Sequence, residues 1–200
     1  MTRCRVFALL SVALVSACHA ADPLPDTYVL GIASSVQPSE VSQLGQPVIE
    51  VELARLPDYL DTTDIVLGAP DDRVVASKTG RWGERLSVGV TRAIALSLAA
   101  RLPEFAVTTL PPLTAPARRV RIDIDAFALR PDGNCVLTGV WAIRNGRDGD
   151  LLDKQRIALV VPISGTTDAA VVAAMSREVD TLAERIALAL RAGPGRPKPA

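Results

Sequence analysis

The chain offers few groups for reactive chemistry. Its paired carboxylates are Asp71 with Asp72, Asp123 with Asp125, and Asp148 with Asp150. Asp123 and Asp125 are two residues apart in an alternating stretch, which puts them on one face of a strand about 7 Å apart. A general acid and base could use that spacing. Arg119 and Arg121 share that stretch, however, so a solvated, ion-paired strand face accounts for the same pattern. Asp71–Asp72 and Asp148/Asp150 fall in turn-forming segments, where Asp serves the backbone first and calcium only second. No glycine-rich phosphate loop is present, because Gly31, Gly45 and Gly68 are isolated.

Thiol and imidazole chemistry converges on the N-terminus. Met1–Arg5 is basic, Val6–Val15 is an apolar run of ten residues, and Ser16-Ala17 leads into Cys18. Ten residues are too few to cross a bilayer, which takes about 20, but they suit the core of a secretory signal. Val15-Ser-Ala-Cys18 resembles a bacterial lipobox. That resemblance implies cleavage before Cys18, a diacylglycerol thioether on its sulfur and a further acyl chain on the freed amine. Two or three chains anchor stably where one does not, since each buried CH₂ contributes about 0.8 kcal/mol. His19, the only histidine, is then pinned at a membrane surface and cannot serve a buried triad. Cys4 leaves with the signal and Cys18 is acylated, so Cys135 has neither a disulfide partner nor companions for a zinc site. It reads as a small hydrophobe at a strand start. No enzymatic activity, metal or cofactor is expected beyond the covalent lipid on Cys18. His19 follows the cysteine where Asp favours inner-membrane retention in the lipoproteins it resembles, so the expected location is the periplasmic face of the outer membrane.

The remaining sequence must supply the scaffold. With 48% hydrophobic and only 4% aromatic residues, the core is built from Val, Leu, Ile and Ala. Loss of residues 1–17, which carry Arg3 and Arg5 and no acids, leaves 20 basic against 22 acidic side chains. Such a balance excludes a nucleic-acid-binding surface. Residues 18–26 read as a lipidated tether, 27–191 as one domain and 192–200 as a Pro/Gly tail.

Within the domain, strands are expected at Tyr28–Ile32 and at Val48–Leu56, where Ile49, Val51 and Leu53 face inward. Gln37–Gln46 reads as a polar loop. Asp64–Leu67 and Arg73–Ser77 form a hairpin through the Ala69–Asp72 turn. Arg85–Leu102 is a helix with Leu86, Val90, Ile94, Leu98 and Leu102 on one face, and Pro103 stops it. Phe105–Thr109 is a short strand, and Pro111, Pro112 and Pro116 mark a loop. A meander follows, with Val120, Ile122, Ile124, Ala126 and Ala128 on one face of its first strand and Phe127 on the other. Turns at Pro131–Asn134 and Asn145–Gly149 separate its strands. Asp168 is placed to cap a last helix whose stripe runs Val171 or Val172, Met175, Val179, Leu182, Ile186, Leu190. The fold class is α+β, two layers, with a mainly antiparallel sheet and two amphipathic helices on one face.

Leu56-Pro-Asp-Tyr-Leu-Asp61, Asp64-Ile-Val66, Gly80-Arg-Trp82 and Glu84-Arg-Leu86 opening a helix resemble the ABC-type transport auxiliary lipoproteins, the paraquat-inducible protein C family. Gly83 and Arg85 stand where Ala and Pro are usual in that family. The resemblance spans nearly all of residues 18–191. It implies a non-enzymatic periplasmic lipoprotein that partners an MCE (mammalian cell entry) domain protein in moving lipids between membranes and protecting the envelope. A structural or assembly lipoprotein of the outer membrane, serving protein or lipopolysaccharide insertion, is the competing function; a small hydrolase ranks behind both for want of catalytic residues. Tyr59, Leu60 and Trp82 are the candidate partner-binding residues, because aromatic and apolar side chains at strand ends are typical interface anchors; the competing reading, favoured for Trp82, makes Tyr59 and Trp82 local core plugs that cover the sheet edge. Several copies in a ring are compatible with the balanced charge.

Overall fold

A computed structural model of the chain describes residues 24–31, 45–68, 70, 73–163, 165 and 167–193. The signal segment, Cys18, His19 and nearly all of the Gln37–Gln46 and Ala69–Asp72 segments lie outside the described residues. The elements, in chain order, are β1 (Asp26–Tyr28), β2 (Val48–Val51), β3 (Asp64–Gly68), β4 (Val74–Trp82), α1 (Leu86–Arg101), β5 (Ala106–Thr108), β6 (Arg118–Leu129), β7 (Asn134–Asn145), β8 (Leu151–Pro162) and α2 (Asp168–Ala192).

The meander β6–β7–β8 is the backbone of the sheet, and its turns are set by local chemistry. Asp132 accepts a hydrogen bond from the Asn134 amide at 3.0 Å while Gly133 takes a positive φ of 82°. Asn145 and Asp150 close the second turn backbone to backbone at 2.9 Å. One edge of β6 pairs antiparallel with β7 along its whole length. Its other edge is divided. Arg118–Val120 pair in parallel with β2, Asp123 bridges to Arg55, and Leu129 meets Leu67 of β3. The sheet therefore forks on that side: β2 carries β5, and β3 carries β4 and then β1. The long ladders are antiparallel and the short pairings parallel, so the sheet is mixed within the expected class.

Two breaks in alternation depart from the expected pattern. The β6–β7 register shifts between Ile124 and Ala126, leaving Asp125 as an extra residue. A bulge of one residue reverses the facing of everything beyond it. Phe127 and Leu129 therefore turn into the core, and the half-buried Ala126 and Ala128 lie on the opposite face, contrary to a straight period of two. Gly139 sits opposite the bulge, where a Cβ would lie 2.2 Å from the Asp123 carbonyl oxygen. The second break follows Val51. Leu53 is 59% exposed and Ala54 is buried, because the Ala54 amide leaves the ladder to donate to Thr91 Oγ1 on α1 at 2.9 Å. At the N-terminal side β1 is earlier than expected, and Leu30 beyond it is a buried plug.

Both helices cover one face of the sheet. The expected stripe of α1 is buried throughout, and so is that of α2 from Val171 to Leu190. Across their seam Asp180 accepts from Ser97 Oγ at 2.8 Å and pairs with Arg101 at 3.0 Å. Thr167 caps α2, its hydroxyl accepting from the Ala170 amide at 3.3 Å. Asp168 has another task. Its carboxylate accepts from Ser77 at 2.9 Å and from Thr79 at 2.6 Å, tying the start of α2 to β4.

Candidate functional site

The family-like segments meet at one joint, where the 57–63 turn and the end of β4 hold the start of α1. Leu60 and Asp61 turn back on the Pro57 carbonyl at 2.9 and 3.1 Å. That turn directs Leu60 inward, fully buried, and leaves Tyr59 48% exposed. Trp82 is buried too, its amide donating to Thr63 O at 2.7 Å. As partner contacts, Leu60 and Trp82 are therefore corrected: both are core plugs, held there by backbone hydrogen bonds, and only Tyr59 of the three presents its side chain to solvent. The Trp82 indole Nε1–H finds no acceptor among the described residues.

The charged members of the joint are structural as well. Arg85, at the N-cap position of α1, makes no side-chain cap, and Asp61 supplies one from a distance by accepting the Ser87 amide at 2.9 Å. Burial opposes ionisation of Asp61. The bonds it accepts at Ser87 and from Arg85 outweigh that and hold its carboxyl below the usual range. Arg85 thus gains a role that a proline at its position would lack. Glu84 pairs with Arg92 at 2.7 Å, and Arg92 also donates to Leu30 O at 3.1 Å, latching the segment after β1 to α1.

The carboxylate pairs do not assemble a reactive site. The bulge separates Asp125 from Asp123, and Asp123 faces Arg121 at 3.2 Å and Arg55 at 3.9 Å. Asp148 is spent on its own turn, accepting from Asn145 Nδ2 at 2.9 Å and from the Asp150 amide at 3.0 Å. Among the described residues no group of three His, Cys, Asp or Glu is placed to hold a metal ion.

Two features escaped the pattern of the sequence. Glu178, on the inner stripe of α2, is wholly buried against Cys135 of β7, and neither carboxylate oxygen has a partner in hydrogen-bond geometry among the described residues. Burial raises its pKa to about 7 against the smaller lowering effects of Cys135, Arg177 and the Leu137 amide. Burial, and then Glu178, push the Cys135 thiol far up, so the thiol stays protonated and inert. The second is an exposed apolar loop at Leu110–Leu113, flagged in the sequence only by its prolines. Beside it lies a hollow of about 270 Å³ lined by Leu53, Val88, Thr91, Arg92 and Thr109. A larger groove of about 590 Å³ runs between α1 and α2, past Gly31, Ala93, Leu96, Val172 and Ser176.

Comparison with known proteins gives this geometry a context. The family model described as the ABC-type transport auxiliary lipoprotein component matches residues 28–187, which include every element from β2 to β8 in full, Tyr28 of β1 and all but the last residues of α2. The chain is 24% identical over 131 residues to the intermembrane transport lipoprotein PqiC of Escherichia coli K12, covering 66% of this chain and 69% of that one. The Shigella flexneri protein of the same name matches equally. The crystal structure of an uncharacterized protein superposes with a TM-score of 0.70 at 20% identity, covering 84% of this chain and 99% of the other. One from Xanthomonas campestris gives 0.58 at 14% identity, covering 74% and 88%. At such identities the two structures show a shared fold.

Proposed function

The chain belongs to the ABC-type transport auxiliary lipoprotein family, and from that membership we propose that it is the auxiliary subunit of an MCE-type system that moves lipids between membranes and supports envelope integrity. The observation that carries this is the family match across nearly the whole folded domain, joined by relatives named as intermembrane transport lipoproteins. We infer a division of the chain into a removed signal (1–17), a lipidated tether (18–26), the auxiliary domain (27–191) and a terminal tail (192–200). The domain acts by binding, as an outer-membrane-anchored docking piece for a periplasm-spanning MCE-domain protein, alone or in several copies. Its core is filled by two helices, which favours a protein partner over bulk lipid as its ligand.

Anchoring rests on Cys18. Cys18→Ser is expected to leave an unprocessed precursor and to abolish labelling with palmitate. Maturation and labelling of the variant would refute the assignment. Recovery of the wild-type protein with inner-membrane fractions on a density gradient would refute the outer-membrane location.

Docking is tested by copurification of the lipidated chain with the MCE-domain protein from membranes. Tyr59 is the contact retained from the original three, since it is half exposed at the joint. Tyr59→Ser is expected to lower recovery of the complex several-fold, roughly the effect of losing a peripheral aromatic anchor, with an unchanged melting temperature. Undiminished recovery would remove Tyr59 from the interface. Capture of an outer-membrane insertion machine in place of the MCE-domain protein would favour the assembly function.

A further inference from the structure

β8 runs for 12 residues and pairs only with β7 among the described residues, which leaves its other edge open. The groups that face this edge follow from the ladder. Ile163 donates to Gly133 O at 3.0 Å, so that pair is a hydrogen-bonded one, and such pairs alternate along an antiparallel ladder. In the observed register Val161, Leu159, Ile157 and Gln155 then bond to β7. Lys154, Arg156, Ala158 and Val160 turn their N–H and C=O groups outward, where they meet no backbone partner among the described residues. Their side chains are exposed, Val160 by 62%, while Ile157 and Leu159 are buried on the helix side. Open edges invite other strands, and charges or bulges deter them. Both devices sit in the first half of β8, where the register shifts at Leu152 and Lys154 and Arg156 follow. Ile157-Ala-Leu-Val-Val161 has neither a charge nor a bulge.

We propose that the free edge of β8 joins two copies of this chain, strand against strand, antiparallel about a twofold axis at Ala158. The inference says how copies meet, within the reading of several copies above, and does not depend on the MCE-domain partner. The occupant is a second copy because the segment complements itself. With the axis at Ala158, the two Ala158 residues face each other, Arg156 faces the second copy's Val160, and Ile157 faces the second copy's Leu159. The outward groups of Arg156, Ala158 and Val160 then exchange about six backbone hydrogen bonds, and the arginine stem covers the valine. Neighbouring registers are worse. An axis at Arg156 opposes two like charges, and one at Ile157 makes them diagonal neighbours. An axis at Leu159 sets Pro162, which has no N–H, against Arg156. α2 packs over both β7 and β8, so continuing the sheet at its usual strand spacing sets the two α2 helices roughly 10 Å apart, the distance at which helices pack. β1, to which the tether leads, stands at the other end of the strand order, so the anchor leaves β8 clear. Such a joint uses the same patch on both copies and is closed.

The test uses the full lipoprotein in its own membranes, mildly oxidised and read on non-reducing gels. Ala158→Cys places two thiols across the axis at the Cα spacing of about 5.5 Å of a hydrogen-bonded pair, within disulfide reach. Lys154→Cys is the exposed control on the same edge, and its two copies stand about 25 Å apart along the strands. Ala158→Cys is expected to give a disulfide-linked dimer, and Lys154→Cys roughly tenfold less of it. Ala158→Lys opposes two cations across the axis, so the dimer fraction of the detergent-solubilised chain in native mass spectrometry should fall roughly tenfold or more. The site is exposed, so the far-UV circular dichroism of that variant should match wild type. Ala158→Ser, which keeps the size and the backbone bonds, should retain the dimer. Equal crosslinking from positions 154 and 158, a monomeric wild-type chain, or an undiminished dimer with Ala158→Lys overturns the joint, as does crosslinking from position 158 only to another protein. A dimer crosslinked at 158 in membranes from which the MCE-domain protein is not recovered overturns the docking role and leaves this joint standing.

Discussion

Val179→Asp is expected to destabilise the domain by about 3–5 kcal/mol, a large part of the total for a domain of this size. Val179 is buried on the inward stripe of α2, between Met175 and Leu182, and packs into the core shared by both helices and the sheet. A carboxylate there would be shut away from water at a position only 2% exposed. Its nearest charged neighbours in sequence, Glu178 and Asp180, are acidic. The melting temperature should fall by about 10 °C or more, or α2 should leave the sheet. Arg185→Asp, on the exposed side of the same helix, controls for charge and helix propensity and should change stability little. A melting temperature for Val179→Asp equal to that of the control would mean that α2 is not docked through this stripe.

Glu178→Gln should have the opposite effect, and only in part of the pH range. The folded-state pKa of Glu178 is raised from 4.5 to about 7 by burial. Below about pH 4.5 the group is protonated in both the folded and the unfolded chain, and native stability is not penalised. As pH rises from 4.5 through 7 the unfolded chain ionises freely while the folded chain resists, and stability is lost. Above pH 7 the penalty levels off at roughly 3 kcal/mol as an upper bound. The groups that face Glu178 are the Cys135 thiol and the Leu137 amide from β7, and Arg177 from its own helix. The Cys135 thiol stays protonated throughout this range, so the trend belongs to Glu178. The wild-type chain should therefore lose stability between pH 5 and pH 8 relative to Glu178→Gln, with the two nearest each other at the acid end. Melting curves at both pH values decide the matter. Parallel profiles would show that Glu178 reaches solvent or a partner in the folded state.

The contrast between these neighbours shows how far patterns reach. Val179 was legible as core because it repeats with Met175, Leu182 and Ile186 at helical spacing. Glu178 occupies the same inner surface, yet a carboxylate at the margin of an apolar stripe reads as a wet residue in any periodic scheme. The family-like segments behave similarly. Their residue types and order identified the family, which the match over residues 28–187 shows, but they did not reveal their own roles. Leu60 looked like an anchor at a strand end and Trp82 could be read as anchor or plug; both are plugs beneath the turn and the helix they support. Leu110 and Leu113 were ordinary loop residues by pattern and are among the most exposed apolar side chains of the described fold.

The sequence by itself determined the class of the fold, the two turns of the meander, both helices with their inner faces, and the family. These depend on local chemistry: apolar period, proline stops, Asx turns and short motifs are properties of neighbouring residues. Only the tertiary structure decided where alternation breaks and what lies beneath each element. Asp125 becomes an extra residue because Gly139, across the ladder, lets the backbone approach closely. Leu53 is expelled because a threonine from a helix nearly 40 residues onward takes the Ala54 amide. Glu178 loses its water because Cys135 and β7 close over it. In each case the outcome depends on a partner remote in sequence, and burial is a property of the pair.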